Sequence, residues 1–257
     1  MLLSIDIGNT DAVFGLFDGE SLIQTWRMPT IKVSDKNKWI DGIKTSLVEQ
    51  KIDVSTIQNI AFANVVPSVD DAFQLACKEV FNCPAPFSVS MKCELNIDLG
   101  LDPGVQIGAD LLANAEAAYS LHGENLLIID AGTATTIQLM LGKSFQGGLI
   151  LPGMKCSAEA LMRNAEKLSE FTITKPKQIV GKNTGDCINA GLFYGHVGAL
   201  CYLVSKLKCK HPNLKIIATG GTSHLLANDF DFDYIHLPDL TLIGIRLIYS
   251  TNRMNVI

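Results

Sequence analysis

Three aspartates stand where phosphoryl chemistry would need them. Asp6 lies near the end of an apolar run (Leu2, Leu3, Ile5) and is followed by the polar turn Gly8-Asn9-Thr10 and a second apolar run, Ala12 to Phe17. Asp130 repeats the arrangement within Leu126–Leu141, with Gly132-Thr133 at the turn. A bend of Gly, Asn and Thr directs several backbone N–H groups one way, and such a nest binds anions, phosphate above all. A carboxylate beside it suits a hydrated Mg²⁺ that in turn meets the phosphate. The third acid, Asp110, follows Gly108-Ala109 at the head of an alanine-rich stretch. There it is explained by capping and dipole complementarity, worth on the order of 1 kcal/mol, or by service as a general base. One residue is able to do both.

These acids need elements to hold them. Leu2–Phe17 reads as a β-hairpin, and Ser21–Met28 adds a third strand. Asp35–Gln50 carries Trp39, Ile40, Ile43, Leu47 and Val48 at helical spacing. Ile60–Val66 is a buried strand stopped by Pro67, and Ser68 is placed to cap a helix running to Phe81. Residues 82–106 read as strand and loop, punctuated by Pro84, Pro86, Pro103 and Gly104. The helix carrying Asp110 ends at His122-Gly123. The second strand–Asp–turn–strand unit begins almost half a chain after the first. The duplication resembles the actin/sugar-kinase superfamily, in which two related domains each offer one hairpin to ATP. The expected fold class is α/β: two related actin-like (ribonuclease H-like) domains, each a mixed β-sheet flanked by helices. The expected division is residues 1–115 and 116–257, with the C-terminal helix packing back on the first domain.

Composition narrows the function. The chain has 257 residues, enough for a sizeable core, and its net charge of −5 gives no footprint for nucleic acid or an anionic membrane. Seven cysteines form no C-x-x-C pair, so reduced thiols in a cytoplasmic protein are expected rather than disulfides or zinc. No apolar run approaches the roughly 20 residues a membrane-spanning helix needs, and the N-terminus has no signal-peptide character. The five histidines lack metal-ligand spacing. Gly181-Lys182-Asn183-Thr184 lacks the upstream glycine of a Walker A loop, and Thr184 reads as either a helix N-cap or a ligand contact. Gly191, Gly195, Gly198 and Ala199 put small residues along one side of the following helix, a packing or subunit face. Gly220-Gly221 marks a strand-to-helix turn.

The ordered set DIGNT (6–10), GAD (108–110), DAGTATT (130–136), GGLILPG (147–153), GKNT (181–184), ATGG (218–221) and PDLTLIG (238–244) is similar to the successive motifs of the type III pantothenate kinases. The resemblance covers almost the whole chain. It implies a cytoplasmic homodimer that phosphorylates pantothenate with ATP, Mg²⁺ and a monovalent cation, K⁺ or NH₄⁺, in the first step of coenzyme A synthesis. By the same resemblance, Asp6, Ile7, Gly8, Asn9, Thr10, Asp11, Ala12 and Val13 line the ATP phosphates, with Asp6 toward Mg²⁺. Thr133 contacts ATP and Asp130 holds the monovalent cation. Gly108, Ala109, Asp110 and Leu111 border pantothenate, Asp110 is the general base, and Thr184 reaches the acceptor from the neighbouring subunit. Two positions depart from the family pattern. Leu111 stands where an arginine usually binds the pantothenate carboxylate, and Ala131 stands where an aromatic residue often follows the aspartate. Losing one charged contact weakens binding by about 1.5–3 kcal/mol. A kinase for another small alcohol, or a nucleotide-binding accessory protein of the same fold, are the alternatives Leu111 leaves open.

Overall fold

The computed structural model describes residues 1–83, 85–163, 173–226 and 229–254; the expected break at Pro84 lies outside them. The chain divides into two compact units, Met1–Leu121 with Leu240–Ile257, and His122–Asp239.

The first unit contains β1 (Leu2–Ile7), β2 (Asp11–Asp18), β3 (Ser21–Pro29), α1 (Lys36–Glu49), β4 (Asn59–Asn64), α2 (Asp70–Phe81), the short β5 (Phe87–Ser88) and β6 (Asp98–Leu99), and α3 (Ala109–His122). The final helix of the chain, α7 (Leu240–Met254), also belongs to it. Its main sheet runs β3-β2-β1-β4-β5, with β1 antiparallel to β2 and parallel to β4. The period of two along β1 sends Leu3, Ile5 and Ile7 into a core shared with Trp39 and Ile43 of α1 and Phe73 of α2. Phe73 meets the rings of Trp39 and Phe62 at 5.1 Å each, and burying Phe62 and Phe73 is worth about 1.5–3 kcal/mol per side chain. On the opposite face Ala61 and Ala63 of β4 join Ala109, Leu112 and Ala113 of α3 with Ile245 and Ile248 of α7. These small residues let the helices approach closely. At Gly244 a side chain would run into the Ala113 carbonyl.

The second unit repeats the plan. It comprises β7 (Leu126–Ala131), β8 (Ala134–Leu141), β9 (Ser144–Pro152), α4 (Met154–Arg163), α5 (Thr184–Lys210), β10 (Lys215–Thr219), α6 (Ser223–Leu226) and β11 (Ile235–His236). Its strands follow the order β9-β8-β7-β10-β11, with β7 antiparallel to β8 and parallel to β10, the same pattern as β3-β2-β1-β4-β5. Leu127, Ile129 and Ala131 pack against Phe193, Val197 and Leu200 of α5.

Local expectations fail at two places. Val48 lies off the apolar face of α1 and is 77% exposed, because Trp39, Ile40, Ile43 and Leu47 already complete that face. Ser68 caps nothing: Pro67–Val69 forms a 3₁₀ turn, and α2 begins at Asp70 behind Val69 without a side-chain cap. The 27-residue α5 is long and apolar enough by composition to cross a bilayer, although Asn189 and His196 interrupt any unbroken run. One side of it is nevertheless buried on its own sheet.

Candidate active site

In both units the acid sits one residue before the end of the first strand. Asp6 pairs with Val13 across the hairpin and with Ala63 on the parallel side; Asp130 pairs with Thr136 and Thr219 in the same way. Both carboxylates are half-buried. Open α/β sheets bind ligands outside the carboxyl ends of parallel strands where neighbouring connections diverge. Both acids occupy such an end, since β1 and β7 turn back as hairpins while β4 and β10 lead into helical turns.

The bends are closed from within and from the third strand. The Gly8 N–H donates to Asp11 O and the Gly132 N–H to Ala134 O, each at 3.0 Å. Each glycine N–H is therefore used inside its own bend. Beyond β3, the Thr30 N–H donates to Thr10 O at 2.9 Å, and beyond β9 the Gly153 N–H donates to Thr133 O at 3.0 Å. Both anchors directly follow a proline, Pro29 or Pro152. Thr30 adds a side-chain bond, its hydroxyl donating to Gly8 O at 2.7 Å. Gly153 is unable to copy it, because a Cβ there would strike the carbonyls of Gly132 and Thr133. A third segment presses on the second bend. Gly220 has φ +91°, and a Cβ on it would strike Asp130 Oδ1 and the Ala131 backbone.

Of the residues expected at the nucleotide, Ile7 and Ala12 are fully buried, so a ligand would meet only their main chain. Asn9 and Thr133 are exposed, while Gly8, Thr10, Asp11 and Val13 are half-buried.

Asp110 lies in the first turn of α3, beside Ala109, which shares an apolar cluster with the Asp6 partner Ala63. Asp6 and α3 thus belong to the same face of the first sheet. Burial raises the Asp110 carboxyl above its ordinary range, and the Leu111 N–H, donating to Oδ1 at 2.8 Å, offsets part of that rise. A half-buried carboxylate of raised pKa is a stronger base than a solvated one. Gly108 has a steric reason to be glycine, since a Cβ there would strike Asp110 Oδ1. Leu111 is half-buried.

Thr184 is the exposed first residue of α5, and its capping role belongs to Asn183, whose side chain accepts the Asp186 N–H at 2.9 Å. Sequence reasoning missed Thr30 altogether and had no structural role for Gly153; the only signal was a small or polar residue after a strand-ending proline.

The arrangement fits metal held mainly by its substrate. Among the described residues no three His, Cys, Asp or Glu side chains gather as a cage. Mg²⁺ in kinase sites typically keeps waters and takes one or two carboxylates plus phosphate oxygens, which a single half-buried Asp6 matches. At Asp130, glycine at position 220 lets the turn after β10 lie directly against the carboxylate.

Comparison with known proteins shows the family. A family profile described as type III pantothenate kinase matches residues 2–206. A type III pantothenate kinase from Geobacillus kaustophilus is 36% identical over 254 residues, covering 98% of each chain. The chain belongs to the type III pantothenate kinase family. A Campylobacter jejuni protein described as a conserved Baf family transcriptional activator superposes with TM-score 0.59 at 23% identity, over 98% of this chain and 99% of that one. A ROK family glucokinase from Streptomyces griseus gives TM-score 0.53 at 12% identity, over 97% and 99%. At such identities the likeness speaks to fold alone: two mixed sheets flanked by helices.

Proposed function

We propose that this chain transfers the γ-phosphoryl group of ATP to the primary hydroxyl of pantothenate, giving 4'-phosphopantothenate and ADP in the first step of coenzyme A synthesis. Membership of the type III pantothenate kinase family carries the proposal. The hydroxyl oxygen bonds to the γ-phosphorus, the bond to the bridging oxygen of ADP breaks, and the Asp110 carboxylate takes the hydroxyl proton. Such transfers depend chiefly on positioning and charge neutralisation, so one well-placed base suffices. Backbone groups of Asp6–Val13 hold the phosphates, Thr133 meets the nucleotide, and Gly108–Leu111 border the acceptor. Asp6 would hold Mg²⁺ through water, and Asp130 would hold K⁺ or NH₄⁺. Bound there, the cations neutralise charge on the transferring group.

The working unit is a homodimer in this reading, with Thr184 of the partner subunit completing the acceptor site. Support comes from α5, where Gly191, Gly195 and Gly198 are exposed and meet nothing within 4 Å, and Tyr202 is exposed beside them. Seven free cysteines suit a reducing cytoplasm.

A coupled assay for ADP release, with and without pantothenate, tests the function. Because Leu111 supplies no charge to the acceptor carboxylate, the titration extends to millimolar pantothenate. Pantothenate-dependent ADP release is expected. ATP binding without turnover on pantothenate would remove this acceptor.

A further inference from the structure

The turn after β10 is fastened to the Asp130 bend by a relay of hydrogen bonds. Thr222 donates twice to the Ala131 carbonyl, from its N–H at 3.0 Å and its hydroxyl at 2.8 Å. Gly220, pressed against Asp130, offers its carbonyl to the Ser223 N–H at 3.2 Å and the Ser223 hydroxyl at 2.7 Å. Ser223 is buried, and its Oγ lies 2.9 Å from His236 Nε2. A serine hydroxyl has one hydrogen. Since Gly220 O receives it, the contact with His236 must be one in which Nε2–H donates. His236 is exposed on the edge strand β11 and held in register by pairing with Ala218 and by the Leu237 N–H on Ala218 O at 2.9 Å.

We propose that Ser223 and His236 are positioning residues for the Asp130 bend. The imidazole orients the serine hydroxyl, the hydroxyl fixes the Gly220 peptide, and that peptide sets where the Asp130 carboxylate lies. The inference rests on reading this bend as the second half of the nucleotide and cation site. Every member of the relay lies in the second unit, so the effect falls on nucleotide and monovalent cation and leaves the base, Asp110, as it is.

Calorimetric titration with MgADP in KCl reads the effect without an acceptor. His236→Ala is expected to weaken MgADP binding about fivefold, the size of one lost neutral hydrogen bond, and to raise the K⁺ concentration that gives half-maximal binding. His236→Gln, whose amide still donates, should recover most of the loss. Ser223→Ala should weaken binding at least as much. In that background His236→Ala should add nothing, because the histidine acts through the serine. Wild-type affinity in His236→Ala, or additive losses in the double variant, would overturn the proposal. Failure of the wild type to bind MgADP overturns it together with the nucleotide reading. Binding and responsive variants without turnover on pantothenate would support it and sink only the acceptor assignment.

Discussion

Asp110, the proposed base, sits where stability alone would not select a charged carboxylate. Burial raises its pKa, so the folded state disfavours the charged form that a base requires. The sign follows from linkage: with the folded pKa above the unfolded one, its contribution to stability is full at acid pH and is lost as pH rises through the folded value. Asp110→Asn keeps an acceptor for the Leu111 N–H but carries no charge. It is expected to lower kcat by about 10²–10⁴-fold. Its Tm at neutral pH should exceed that of the wild type, and the difference should vanish in acid, where the wild-type carboxyl is neutral in both states. Paired kcat and melting profiles against pH check both halves. The wild-type kcat should fall on the acid side through a value above the ordinary carboxylate range. A catalytically normal Asp110→Asn would exclude Asp110 as the base.

Among elements, the two bends were legible because each is encoded locally, as an apolar strand, an acid, a glycine turn and a second apolar strand. The helix of Lys36–Glu49 was equally clear from its apolar spacing, and the structure adds the Asp35 cap. What stayed hidden depends on the return of distant chain. Nothing in the neighbourhood of Thr30 predicts that β3 brings its hydroxyl to Gly8 O, and nothing near Gly220 predicts contact with Asp130. Ser68 misled because Pro67 begins a 3₁₀ turn and delays the helix. Thr30→Val keeps the shape but leaves the half-buried Gly8 carbonyl without its side-chain donor, a loss of about 0.5–1.5 kcal/mol. Urea unfolding should show that loss, and the KM for ATP should rise while the KM for pantothenate stays near the wild-type value. Equal increases in the two would argue against an anchor specific to the first bend.

For the molecule as a whole, α5 offers the sharpest test of assembly. Gly195 is exposed, and a Cβ there meets nothing within 4 Å among the described residues outside its own helix backbone. Gly195→Arg should therefore fold, with a helix about 1 kcal/mol more favourable than the glycine form. If α5 forms the subunit contact, the variant should sediment as a monomer and lose pantothenate-dependent turnover. A dimeric variant with normal turnover would assign the contact elsewhere.

The division of the chain also bears on its synthesis. Residues 122–239 form a unit inserted between two parts of the other, and α7, which supplies Ile245 and Ile248 to the first sheet, is made after it. On the ribosome the inserted unit emerges complete while its host still lacks this helix. The earlier-born sheet must therefore wait, with one apolar face unfinished, until α7 has been made.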